Sequence, residues 1–323
     1  MKKTLLAAAV ASTVTSFAMA DISITGDAKF EYDHHDTGSA TSSTTNTEMH
    51  INIVGKQGDT SVVIKTEIDS HGTDGNGLDI EDNYITTKVG DVSVKAGNYA
   101  SGTSGLLGEI EEGSRATNKV TLSGSLGGVG LYAGNSGAAT GDGDTVINNN
   151  MFAGAKFAVA GQNIEVKKNS DTKDSWGIKG SVSGVDYRYE ASDDDTDGDT
   201  SYVEIATTLA GVKVQYAALD ADAHAGLEET DSTTFAQEAA NSTGTPKKQS
   251  QVALSTAVDG TNLTLKSGTI EDGISAGVDQ DYVMLSASRP LASGATLVVT
   301  YNDNDTSATA STENLEVELN VKF

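Results

Sequence analysis

From Ile22 onward the chain alternates. Ile22, Ile24, Gly26, Ala28, Phe30 and Tyr32 fall on one parity, and Ser23, Thr25, Asp27, Lys29 and Glu31 on the other. A period of two predicts a strand with one apolar face. The last residues repeat it: Leu315, Val317, Leu319, Val321 and Phe323 alternate with Glu316, Glu318, Asn320 and Lys322. Between these ends, Val62, Ile64 and Ile68 alternate with Val63, Lys65 and Glu67. Val185, Tyr187 and Tyr189 alternate with Asp186, Arg188 and Glu190. Val212, Val214 and Tyr216, then Leu297, Val299 and Tyr301, continue the series. No stretch of the mature chain sustains helical spacing.

Tight turns punctuate these strands. They fall at Gln57-Gly58-Asp59, Gly90-Asp91, Leu126-Gly127, Ala160-Gly161, Ser183-Gly184, Ala210-Gly211, Asp259-Gly260 and Ser293-Gly294. Gly and Asp supply the positive φ that short hairpins require. Longer loops rich in Asp, Ser, Thr, Asn and Gly separate successive turns. Eight hairpins and two terminal strands predict eighteen antiparallel strands, with sixteen if one turn is over-read.

So many one-sided strands must bury their apolar faces somewhere. A sandwich packs two such faces together; a transmembrane β-barrel turns them to lipid and keeps the polar face for a watery lumen. The polar parity carries Lys29, Glu31, Lys65, Glu67, Lys95, Lys179, Arg188, Glu190, Lys213, Lys266, Glu316 and Glu318. The apolar parity is largely Val, Ile, Ala, Gly and Thr, too small to interdigitate as a protein core but adequate against lipid. Tyr32, Tyr99, Tyr132, Tyr189, Tyr216, Tyr301, Phe152, Trp176, Tyr202 and Tyr282 cluster where strands meet the long loops. An interfacial girdle at the extracellular rim has this placement, although Tyr132 stands on the opposite parity. The reading is an all-β, transmembrane antiparallel barrel of 16 to 18 strands, with short periplasmic turns and long extracellular loops.

Composition changes the picture in three ways. Hydrophobic residues are 37% of the 323, which suits strands with only one apolar face. The absence of Cys excludes disulfide scaffolds, thiolate metal sites and thiol nucleophiles. A formal charge of −25 opposes nucleic-acid binding. Met1-Lys2-Lys3, the apolar stretch from Leu5 to Phe17, and Ala18-Met19-Ala20 before Asp21 predict a signal peptide over 1–20. The mature barrel domain is then 21–323, and loss of two lysines takes its charge to −27.

The chain resembles the general outer-membrane porins of proteobacteria. The resemblance rests on Asp21-Ile22-Ser23-Ile24-Thr25-Gly26-Asp27-Ala28 directly after the signal, on the strand from Asn314 that ends in Phe323, on the alternation of turns and loops, and on length. It implies a Gram-negative outer-membrane location after secretory export, outer-membrane lipid as surroundings, and a homotrimer. It further implies passive diffusion of small hydrophilic solutes and ions, with Phe323 as barrel-assembly signal. The family folds its third loop inward; here that segment is Tyr99 to Gly113, carrying Glu109, Glu111 and Glu112. Lys29, Lys65, Lys88, Lys95, Arg115 and Lys119 lie at lumen parity and would complete a charged pore constriction. The loop from Asp220 to Lys248 is longer still and is the alternative constriction. With −27 on the mature chain, cation preference is expected.

Other chemistry is sparse. Asp193, Asp195, Asp197, Gly198 and Glu204 fit a calcium-loop spacing, D-x-D-x-D-G-x5-E, in an extracellular loop. No other cofactor is expected. His34, His35, His71 and His224 fall in loops and His50 on a lumen face, without metal-site spacing. No nucleophile-elbow, P-loop or dinucleotide fingerprint stands between a strand and a helix, so no enzyme is expected. A secreted or surface-attached β-rich adhesin without a channel is the alternative, as is a barrel with a plugged lumen.

Overall fold

The computed structural model describes residues 21–69, 77–100, 106–108, 110, 115–135, 151–169, 173–194, 198–222, 235, 247–271, 279–306 and 311–323. They form eighteen strands: β1 (Asp21–Asp36), β2 (Thr41–Gln57), β3 (Thr60–Asp69), β4 (Gly77–Val89), β5 (Val92–Ala100), β6 (Arg115–Leu126), β7 (Val129–Asn135), β8 (Met151–Val159) and β9 (Gln162–Asn169), then β10 (Lys173–Val182), β11 (Val185–Asp194), β12 (Thr200–Leu209), β13 (Val212–Ala221), β14 (Lys247–Val258), β15 (Thr261–Glu271), β16 (Gln280–Pro290), β17 (Ala295–Thr306) and β18 (Thr312–Lys322). Each pairs antiparallel with its chain neighbours, and β1 pairs with both β2 and β18. The sheet therefore closes and leaves no edge strand. Eighteen is the number that the turns predict.

All eight predicted turns join strands. Ala160-Gly161, Ser183-Gly184, Ala210-Gly211 and Asp259-Gly260 have positive φ at both positions, for example 53° at Ser183 and 81° at Gly184. That is the turn whose twist matches paired strands. At the other rim one expectation changes. The β1–β2 connection is only residues 37–40, closed by Thr37 N donating to Ala40 O at 3.0 Å. His34 and His35 consequently belong to β1, not to a loop.

The seam closes on the last residue. Gly26 and Phe323 exchange both backbone hydrogen bonds at 2.9 Å. A Cβ on Gly26 would lie 2.2 Å from the His50 carbonyl oxygen and 2.8 Å from the Phe323 ring. Glycine there lets the terminal ring lie across β1.

Apolar side chains point outward. Ile22, Leu78, Ile85, Leu131, Ile205 and Leu285 are all about half exposed or more. Among the described residues no second layer covers them, so their burial must come from lipid, and a closed barrel is the sheet that satisfies every backbone group there.

The aromatics divide. Trp176 packs on Tyr189 with centroids 5.1 Å apart; these two, with Tyr32, Tyr216 and Tyr301, share the outer face. Tyr99, Tyr132, Phe152, Tyr202 and Tyr282 turn into the lumen instead, which corrects the girdle expected of them. Register shows what accommodates three of them. Tyr132 stands opposite Gly154, Phe152 opposite Gly134, Tyr282 opposite Gly268 and, on β4, Tyr84 opposite Gly97. Each ring lies against a wall position that lacks a side chain. A Cβ on Gly154 would come within 2.2 Å of Tyr132 Cζ.

Candidate pore constriction and lumen wall

The connection from β5 to β6 enters the barrel. Leu106, Leu107 and Ile110 are buried against the inner face of β9, β10 and β11. Two carboxylates hold the backbone: Leu106 N donates to Glu165 Oε2 at 3.2 Å, and Ile110 N donates to Glu190 Oε2 at 3.3 Å. Two cations hold the carbonyls. Arg188 Nε and Nη2 donate to Leu106 O at 3.4 and 3.3 Å, and Lys173 Nζ to Ile110 O at 3.4 Å. Gly177 of β10 makes room, since a Cβ there would lie 2.8 Å from Leu106 Cγ.

The anchors are themselves fixed. Tyr132 donates to Glu165 Oε1 at 2.8 Å, and Lys156 Nζ lies 3.2 Å from the same atom. Arg188 pairs with Glu190, whose side chain is fully buried. Charge-assisted hydrogen bonds of this kind are the strong ones. On the apolar side, Leu107 and Ile110 join Tyr202, Ala217, Leu219, Ala221 and Phe235 in one cluster. Phe235 comes from the long β13–β14 connection and meets Tyr202 edge-on at 6.1 Å. Described residues of both loops considered from sequence thus lie inside the barrel: Leu106, Leu107 and Ile110 against β9–β11, and Phe235 beside them.

The predicted basic residues separate into groups. Lys65 pairs with Asp82 at 2.9 Å. Lys95 Nζ sits 3.9 Å from the ring centroids of both Tyr84 and Tyr99. Lys119, 1% exposed, lies 5.1 Å from the Tyr99 ring. These three line one basic sector on β3, β5 and β6. Lys29 is elsewhere, among carboxylates: Glu31 at 2.9 Å, Glu48 at 3.2 Å and Glu318 at 3.8 Å. Lys88 lies close to the Gly90 turn, opposite Ser93, away from the inward loop. Arg115 opens β6 opposite Ala100, and its side chain lies outside the described residues. So do Glu109, Glu111 and Glu112.

An acidic sector adjoins the basic one. The register puts Asp27, Glu31 and Asp33 of β1, Glu48 of β2, Glu67 and Asp69 of β3, and Glu316 and Glu318 of β18 on one inner face. Sequence reading misses this grouping because cross-strand neighbours lie far apart in the chain. It also misses Glu165, Lys173, Arg188 and Glu190 as anchors. Their alternation marks them as lumen residues, but nothing in it says what they bind.

The calcium spacing is not gathered into one place by the described residues. Asp195 and Asp197 lie outside them. Asp193 shares the outer face of β11 with Tyr189, whereas Glu204 faces the lumen opposite Arg188 and accepts from Tyr202 Oη at 2.9 Å. Five residues along a strand separate Arg188 from Asp193, roughly 17 Å at the usual rise. Asp199 is tied instead to Asp222, whose Oδ2 accepts from Asp199 N at 3.1 Å.

A closed barrel with an apolar outside, an ionised inside and a loop folded into its lumen defines an outer-membrane channel. The Gram-negative porin family model matches residues 6–317, and the chain belongs to that family. Among solved structures it is similar in fold to the outer-membrane protein OpdK of Pseudomonas aeruginosa, at 10% identity and TM-score 0.64, covering 95% of this chain and 100% of that one. OccK11 (OpdR) of P. aeruginosa aligns at 12% identity and TM-score 0.69, over 94% and 96% of the two chains. OccD3 (OpdP) of the same organism aligns at 13% and 0.65, over 95% and 92%. No curated protein matches by sequence. The family places the chain in the Gram-negative outer membrane as a porin, and the adhesin alternative is not favoured.

Proposed function

We propose that the barrel passes small hydrophilic solutes and ions by passive diffusion, with a preference for cations. The observation that carries this reading is the segregated inner wall. Eight carboxylates share the β18–β1–β2–β3 sector, where Lys29 is already paired. Lys65, Lys95 and Lys119 line the adjoining sector. A solute passing between them meets a transverse field, and charged rings in a narrow watery path select by sign. The net negative charge of the chain tilts that selection toward cations. The Leu106–Ile110 segment narrows the path from the β9–β11 side, and Glu109, Glu111 and Glu112 belong to the same proposal as its acidic lining.

Planar-bilayer recording under a potassium chloride gradient tests this. A reversal potential of the cation-selective sign is expected; an anion-selective sign overturns the preference, and no conductance overturns the channel. Removal of residues 1–20 on export, supported by their own charged, apolar and Ala-x-Ala pattern, and homotrimeric assembly, supported by the family resemblance, complete the reading. Asp21 as the first residue of the mature protein, and a trimer mass in detergent by light scattering, are the expected results.

A further inference from the structure

Within the acidic sector, one group of side chains differs from its neighbours in including an imidazole. Glu48 and His50 stand two apart on β2 and so share a face, and Glu67 of β3 is the cross-strand partner of His50. One ligand atom from each of the three lies within 4.8 Å of the others. We propose that Glu48, His50 and Glu67 form a lumen-facing binding site for a zinc-class divalent cation, with Asp27 orienting the imidazole.

The hydrogen-bond arrangement supports this assignment. His50 Nδ1 lies 3.3 Å from Asp27 Oδ2. A carboxylate at Nδ1 keeps the proton there and turns the Nε2 lone pair outward, the usual arrangement behind a metal-bound histidine. His50 Nε2 in turn lies 2.9 Å from Glu48 Oε1. A cation bound between Nε2 and that carboxylate oxygen would replace this contact. Lys29 contacts the other oxygen, Glu48 Oε2, at 3.2 Å, so Oε1 faces the imidazole and not the lysine.

The neighbouring trio Glu31, Glu316 and Glu318 makes a useful contrast. Its atoms are as close, but Lys29 approaches Glu31 at 2.9 Å and Glu318 at 3.8 Å and already serves as its cation. The His50 trio offers one nitrogen and two carboxylates. That donor set suits zinc and its first-row relatives better than calcium or magnesium, which prefer oxygen alone. Three protein ligands leave a coordination position facing the lumen for water. The ligands come from two strands and sixteen residues lie between His50 and Glu67, so no short motif announces them.

Two measurements on the purified full-length barrel test the site. Calorimetric titration with zinc chloride should give one saturable site in the wild type. His50→Ala should weaken it at least tenfold, and Asp27→Asn by about 10–100-fold, the usual cost of losing an orienting partner. Glu67→Gln, which keeps size and shape, carries the same expectation if His50→Ala fails to fold. Added zinc should also lower the cation current of the wild type and leave that of His50→Ala unchanged. Equal zinc affinity in wild type and variants overturns the site, as does magnesium competing on equal terms. Recording without zinc keeps the two readings apart. A conducting channel that binds no zinc overturns only this inference, whereas zinc bound by a barrel that does not conduct overturns only the channel.

Discussion

At the residue scale, the inward loop depends on a few buried charges. Glu190 accepts from Ile110 N and pairs with Arg188, which also donates to the Leu106 carbonyl. Glu190→Gln keeps the shape and removes the charge. Charged hydrogen bonds contribute about 1.5–3 kcal/mol each, so the segment's hold on β11 weakens by an amount of that order. The segment then leaves the wall part of the time. Single-channel recording should show a higher mean conductance with added noise; an unchanged conductance would mean that Glu190 does not hold the constriction. Gly154 supplies a second case. Its missing side chain admits the Tyr132 ring, whose hydroxyl fixes Glu165. Gly154→Val forces the ring off the wall and costs about 1–3 kcal/mol as overpacking. The folded barrel should lose its compact migration in detergent gels at a lower temperature than the wild type.

At the element scale, most of the barrel was legible. The period of two identified the strands, because every strand has one face in lipid and one in water. The Gly-bearing turns gave the count of eighteen, because a two-residue hairpin demands positive φ and few residues adopt it. What alternation could not give is which strand residues meet across the sheet. Tyr282 and Phe152 sit near strand ends just as Trp176 does, yet only Trp176 faces out. Each of those two inward rings lies against a glycine on a neighbouring strand, a pairing visible only once register is known. The same holds for the acidic sector, assembled from β1, β2, β3 and β18. The loops are less legible, since Leu106 and Ile110 are ordinary residues until Glu165 and Glu190 meet their amides. The β1–β18 seam carries its own prediction. Gly26→Val places methyl groups against the His50 carbonyl and the Phe323 ring. Closure of the barrel should slow, and refolding into detergent or lipid should give a lower yield of heat-resistant barrel than the wild type. An unchanged yield would show that the seam tolerates a side chain there.

At the scale of the whole molecule, charge distribution decides more than net charge does. The chain carries a large negative excess, but charge on external loops acts only within a Debye length, about 10 Å at 0.1 M salt and 3 Å at 1 M. Charge inside the lumen acts where the ions pass and is screened less. The two contributions separate by experiment. If loop charge sets selectivity, raising salt from 0.1 M to 1 M should abolish the cation preference, and substitutions in the lumen should barely move it. If the wall sets it, part of the preference should survive at 1 M. Glu48→Gln, Glu67→Gln, Glu316→Gln and Glu318→Gln together should then bring the reversal potential toward zero. Neutralising Lys65, Lys95 and Lys119 should move it the opposite way, because those lysines place positive charge beside the carboxylates along the same path. The segregated wall favours the second outcome. A quadruple variant that folds, conducts and keeps the wild-type reversal potential at both salt concentrations would assign selectivity to charges outside the β18–β3 sector.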